Sequence, residues 1–176
     1  MGSDLSSITA AVDSAITSAR AGLPQGASQA QIDAAVASAL SSVTQSLISS
    51  NSSANPMVIA EAVIAAADRD GASAQAIGAG LGAAALSESP SVGLEIADAV
   101  GATAPNGATQ AFEATTNGSG TTQGQTLASA AGTYETIGSG RGGNGNSQGQ
   151  NFFGGGNSQG QNGGGGGGGC RNPSCT

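Results

Sequence analysis

The sequence predicts an all-α protein: a small bundle or irregular stack of about five to six short alanine-rich helices, followed by a disordered tail rich in Gly, Asn and Gln. Three observations carry this expectation. Apolar residues recur at intervals of three and four through the first two thirds of the chain, which gathers them on one helical face. Helix-start chemistry recurs between those runs, as Ser or Asn followed by Pro, or by Gln at capping-box spacing. Composition then shifts near residue 117 from alanine and aliphatics to Gly, Asn, Gln, Ser and Thr. The expected organisation is a helical domain over 1–116, a low-complexity tail over 117–169 and a cysteine-bracketed turn over 170–176.

The first helix is expected over residues 4–21. Leu5, Ile8, Val12, Ile16 and Ala19 share one face, Ser3 or Asp4 can cap it, and Gly22 and Pro24 end it. The second opens at Ser28, whose side chain and that of Gln31 can each satisfy the other's backbone N–H. Its stripe is Ile32, Val36, Leu40, Val43 and Leu47, and the serine-rich run 49–53 breaks it. A third starts at Asn55-Pro56, a cap followed by proline at the first helical position, and stops at Asp70-Gly71. Ile59, Val63 and Ala66 form its face. The fourth begins at Ser73 and carries Ile77, Leu81, Ala84 and Ala85 to Leu86. Ser89-Pro90 opens the fifth, with Val92, Ile96 and Val100 facing inward and Gly101 as its end. A short sixth follows Asn106-Gly107, with Ala111 and Phe112 inward.

Two internal repeats are present. Residues 24–30 (PQGASQA) match 105–111 (PNGATQA) at five of seven positions, and 71–76 (GASAQA) is a looser third copy. Two readings fit, a decayed helical repeat stacked on its neighbours or convergent helix-start chemistry in an alanine-rich chain. The second repeat is GNSQGQN, at 145–151 and again at 156–162, with Phe152-Phe153 between the copies and seven glycines after them. A segment of this composition cannot bury enough apolar area to offset its chain entropy.

Composition excludes several functions. The chain of 176 residues holds no histidine, lysine or tryptophan, and its four basic residues are Arg20, Arg69, Arg141 and Arg171, for a net charge of −7. Without a basic patch there is no counterion-release drive toward nucleic acid. Without histidine and lysine, a Ser-His-Asp constellation, a Schiff base and a P-loop lysine are all unavailable. No apolar run approaches transmembrane length. The N-terminus lacks the charged and apolar regions of a secretory leader, which is expected to have been removed or never present. Gly2 and Ser6 match a myristoylation spacing, a match we assign to chance because serine is abundant.

Of the hydrophobic residues, 34 are alanine, so the expected core is thin. Burying a Leu or Ile contributes about 1.5–3 kcal/mol and an alanine much less. A domain so built is expected to be marginal alone and to gain from self-association. Gly78, Gly80 and Gly82 mark a candidate assembly seam. Each costs about 1 kcal/mol of helix stability relative to alanine, which a helix tolerates where another backbone comes close, within the chain or between copies. The alternative is a frayed helix.

Candidate chemistry is sparse. Asp68-Arg69-Asp70-Gly71 resembles the opening of a calcium loop, but the twelfth position is Ala79 rather than glutamate, so a helix-ending turn is expected. Asp13, Asp33, Glu61, Glu95 and Asp98 fall at the edges of apolar stripes, as solvated residues would. Cys170 and Cys175 bracket a turn-forming Asn-Pro pair. A local disulfide in an oxidising compartment is expected, with an intermolecular crosslink as the alternative. No cofactor or metal site is expected, and catalytic residues are none.

The stretch 55–112, with Asn-Pro helix openings and the run Ile-Ala-Glu-Ala-Val-Ile-Ala-Ala-Ala at 59–67, resembles the alanine-rich helical repeats of uncharacterised exported bacterial proteins. The resemblance implies an exported surface or matrix protein. A weaker likeness is to silk-type proteins, which join a small helical domain to a glycine-rich tract; the long repeat array of silks is missing here. The expected function is a non-enzymatic, self-assembling structural protein of the cell surface or extracellular matrix. Its expected partner is a further copy of itself, with no nucleic acid and no membrane insertion. The alternatives are a monomeric helical binding module with a flexible tail, or a silk-like structural protein.

Overall fold

Helix starts in this chain are set by short polar side chains that satisfy orphan backbone donors. Ser28 accepts from the Gln31 N–H (3.4 Å) while Gln31 Oε1 accepts from the Ser28 N–H (2.9 Å), completing the expected capping box. Asn55 Oδ1 accepts from the Met57 N–H at 2.7 Å ahead of Pro56, and Ser73 Oγ accepts from the Ala76 N–H at 3.1 Å. The computed structural model describes residues 2–138. These residues form seven helices: α1 Gly2–Ala21, α2 Gln29–Ser50, α3 Pro56–Arg69, α4 Ala74–Ser87, α5 Pro90–Thr103, α6 Ala108–Gly118 and α7 Thr122–Gly138. No strand occurs among the described residues, so the all-α expectation holds.

Two boundaries differ in their chemistry. Ser89 precedes Pro90 at the start of α5 but makes no side-chain cap; its hydroxyl lies 3.3 Å from that of Ser91. Gly101 does not end α5, which continues to Thr103 and stops where Pro105 disfavours a helical conformation at Ala104.

The near-identical segments 24–30 and 105–111 make the same turn. The Ala27 N–H donates to the Pro24 carbonyl (3.1 Å) and the Ala108 N–H to the Pro105 carbonyl (2.9 Å). Gly26 (φ 87°) and Gly107 (φ 92°) sit at the third position of these turns, where a positive φ is needed. The helix after the turn starts earlier in the second copy. There α6 begins at Ala108, and Ala108 and Thr109 are buried, whereas their counterparts Ala27 and Ser28 are half-buried and exposed. The looser copy at 71–76 makes a different structure. The Ala72 N–H donates to Ala67 O and the Gly71 N–H to Asp68 O, with Gly71 at φ 68°, a Schellman end to α3. The calcium-like run 68–71 is thus the helix-ending turn that was expected.

The helices pack in two rows. α1, α3, α5 and α7 form one row, each against the next, and α2, α4 and α6 form the other. The rows are joined chiefly by α1 on α2, α4 on α5 and α6 on α7. Ile8, Val12 and Ile16 of α1, Ile59 and Val63 of α3, Ile77 and Leu81 of α4, Ile96 and Val100 of α5 and Phe112 of α6 are all buried. Leu5, expected on the inner face of α1, is instead 52% exposed. Threonine also enters the core: Thr44 and Thr116 are fully buried, and their hydroxyls donate to the Leu40 carbonyl (2.7 Å) and the Phe112 carbonyl (2.9 Å). Back-bonding of this kind satisfies the hydroxyl within the helix.

The glycine seam lies inside the chain. A Cβ on Gly78 would run into the Ala108 carbonyl oxygen and stand 2.8 Å from Ala111 Cβ and Phe112 N, so α4 and α6 meet backbone to backbone. Gly82 faces Thr115 one turn further along both helices, which therefore run in the same direction. Gly80 points the other way, where a Cβ would lie 2.7 Å from the Ala37 carbonyl oxygen of α2. Three glycines at alternate positions thus hold α4 between its two row neighbours. All three are buried, and of the two expected placements, within the chain or between copies, these contacts are within the chain.

The helical domain extends beyond residue 116, where its end was expected. α7 lies within the stretch expected to be tail, yet Leu127, Ala128 and Ala131 are buried. Gly124 and Gly132 bring α7 close to α6: a Cβ at these positions would strike the Thr116 carbonyl oxygen and the Glu113 carboxylate. Glycine and threonine disguised this helix as low complexity, although Leu127, Ala128 and Ala131 do have helical spacing.

Candidate functional site

The charged side chains that lie far apart in sequence form one cluster at the end of α3. Arg69 Nη2 donates to Asp13 Oδ1 of α1 at 3.0 Å and lies 3.8 Å from Asp70 Oδ1 through its Nε. Arg20, at the end of α1, donates to the Asp70 carbonyl (3.0 Å) and the Gly71 carbonyl (2.8 Å). It thereby satisfies acceptors at a helix C-terminus, where a cation is favoured. Burial pushes the Asp70 carboxyl above the ordinary carboxylate range; its hydrogen bond to Asp13 and the Asp13 charge add to the rise, and Arg69 and Arg20 oppose it. Sequence alone brought no two carboxylates together, because Asp13 and Asp70 meet only when α1 packs on α3. The arrangement ties the end of α1 and the end of α3 together.

Other polar side chains also bind distant elements. Asp33 of α2 accepts from Ser73 Oγ (2.7 Å), the residue that caps α4. Gln123 of α7 donates to the carbonyls of Ala85 (3.3 Å), in the last turn of α4, and Glu88 (3.2 Å), just past its end. Glu95 departs from the expectation of a solvated carboxylate: its Oε2 is buried without a hydrogen-bond partner. Glu61 and Asp68 do line a shallow acidic hollow of about 300 Å³ beside Ile64 and Thr103. No group of three or more potential metal-ligating side chains occurs among the described residues, and no described helix is long and apolar enough to cross a membrane.

An apolar groove of about 760 Å³ lies between the N-terminal parts of α1 and α3. Ile8 and Ile59 are its buried residues, and Leu5 and Val58 its exposed ones, at 52% and 50% exposure. Its polar rim is the turn 50–55 that joins α2 to α3. Large exposed hydrophobics are few in the described residues, and two of the three most exposed lie here. A groove of this size, apolar within and polar at one edge, has the character of a ligand or peptide site. Leu5 was read from sequence as a core residue of α1; the missing partner that leaves it open became visible only with the packing.

Of the site residues expected from sequence, Gly78, Gly80 and Gly82 come together with α2 and α6 as an internal seam. Cys170, Cys175 and the GNSQGQN repeats lie outside the described residues. No protein-family model, curated protein or solved structure matches the chain.

Proposed function

We propose that this chain is a non-enzymatic structural protein that associates with itself at the cell surface or in an extracellular matrix. The observation that carries the proposal is the open groove flanked by Leu5 and Val58. Exposed apolar side chains gathered in one concavity mark an interaction surface, whereas scattered ones do not. The likeness of residues 55–112 to exported alanine-rich repeats supports the compartment. The acidic balance, eleven carboxylates against four arginines, argues against nucleic acid as the partner.

A second reading, a monomeric binding module, is favoured by the outer faces of the end helices. Ser6, Ser7, Ser14 and Thr17 of α1 and Gln125, Thr126 and Ser129 of α7 are exposed. Polar outer faces are what terminal helices of a stacked array carry when they close it. On either reading the helix stack does not continue from one copy into the next, and contact is made through the groove. Sedimentation equilibrium of the full chain across a wide concentration range separates the two. Concentration-dependent association, with filaments or sheets in electron micrographs, is expected; a monomer at every concentration would overturn the structural reading and leave the binding module.

A further inference from the structure

We propose that the groove between α1 and α3 receives the Phe152-Phe153 segment of a second copy of this chain; this rests on the self-association reading and names its contact. Three observations select that occupant. First, the groove needs a compact apolar ligand, since Leu5 and Val58 stand open above Ile8 and Ile59 while the rim is Ser and Asn. The segment 139–176 contains no Leu, Ile, Val, Met or Trp, and Phe152-Phe153 is its one pair of large apolar side chains. Two adjacent aromatic rings suit a groove of about 760 Å³, and the polar Asn, Gln and Ser of the flanking GNSQGQN copies suit its rim.

Second, the charges are complementary. All eleven carboxylate side chains precede residue 139, where they face only Arg20 and Arg69, whereas 139–176 carries Arg141 and Arg171 and no Asp or Glu. An acidic helical domain and a basic segment attract each other at encounter. Third, the groove and the origin of the segment lie at opposite ends of the odd-numbered row. The groove is formed on α1 and α3, and the segment leaves from α7, with α5 between. A donor at one end and an acceptor at the other make a heterologous, head-to-tail contact, which propagates where it does not close into a ring.

The test uses the full chain in three forms: wild type, Phe152→Ser with Phe153→Ser, and Val58→Asp. Val58 is half exposed, and neither phenylalanine belongs to α1–α7, so melting curves should match across the three. Sedimentation is expected to show wild-type association weakened at least about tenfold in each variant, as loss of buried aromatic or aliphatic contact requires. An equimolar mixture of the two variants should form one-to-one pairs, since each retains the half that the other lacks. With p-benzoylphenylalanine at position 153, illumination of mixed light and heavy isotope-labelled chains should give light–heavy crosslinks to residues near Leu5 or Val58. Crosslinks confined to single chains, or directed elsewhere, would overturn the inference. If the double phenylalanine variant associates like wild type, the inference fails while self-association stands. If wild type is monomeric throughout, the self-association reading fails first.

Discussion

Replacing Gly78 by alanine should destabilise the domain even though alanine is the better helix former. Two effects oppose each other. Helix propensity favours the substitution by about 1 kcal/mol. Against this, the new Cβ would overlap the Ala108 carbonyl oxygen and come within 2.8 Å of Ala111 Cβ and Phe112 N. Two of these three neighbours are backbone, so relief requires α4 and α6 to separate. Overpacking of this kind costs about 1–3 kcal/mol or more, and the unyielding neighbours put Gly78 at the upper end. The net expectation is a loss of about 2 kcal/mol, or a melting temperature lower by roughly 8 °C for a domain of this size. Gly82→Ala should be milder, because its neighbours stand further off, Thr115 Cβ at 3.0 Å, Thr115 Cγ2 at 3.2 Å and the Phe112 carbonyl oxygen at 3.3 Å, so a shift of a few tenths of an ångström relieves them. Gly118→Ala is the control: nothing lies within 4 Å of its Cβ position, so it should be neutral or raise stability by up to about 1 kcal/mol. Thermal unfolding followed by far-ultraviolet circular dichroism ranks the three. A Gly78→Ala protein that melts at or above wild type, or one that loses less than Gly82→Ala, would refute the backbone contact between α4 and α6.

Leu127→Ala should cost about 2–5 kcal/mol, as expected for a fully packed leucine; an unchanged denaturation midpoint would return residues beyond 116 to the tail. Asp70→Asn should be more stable than wild type at neutral pH. The raised pKa of Asp70 means that its ionised form is the disfavoured one in the fold. Its penalty is present above the folded pKa and is relieved as pH falls through that value toward the ordinary range, so the two proteins should converge in acid. A variant less stable than wild type at pH 7 would show that the attraction of Arg69 and Arg20 outweighs burial and the Asp13 charge. Cys170 and Cys175 should be oxidised to each other in native material, which mass spectrometry without reduction checks; two free thiols would count against export, and a disulfide-linked dimer would favour crosslinking between chains.

Helix starts were the most legible part of this protein. The capping box at Ser28 and the Asn55-Pro56 opening are contacts between residues two or three apart, so their geometry follows from the sequence written in order. The same holds for the buried stripes of α3 and α4, because three- and four-residue spacing places those side chains on one face whatever they later meet. α7 was hidden for a compositional reason. Its buried side chains among the described residues are Leu127, Ala128 and Ala131, its glycines serve close approach to α6, and its exposed residues include Gln125, Thr126 and Ser129. The outer face of a closing helix and a low-complexity tail draw on the same residue types.

The glycines of α4 show where the two kinds of information divide. Their alternation in the chain implied that backbones would meet, since glycine in mid-helix is a cost that close packing offsets. Whether they would meet α2 and α6 or a second copy was settled by the order of the rows. The meeting of Asp13 with Asp70 and Arg69, the capture of the α3 end by Arg20 and the groove beside Leu5 are also properties of the rows alone. Sequence by itself determined that the first six segments coil and about where they begin, because those choices are made by hydrogen bonds and side-chain spacing within about one helical turn. Tertiary structure decided which faces find partners and which stay open, because burial is a relation between segments tens of residues apart and has no local signature.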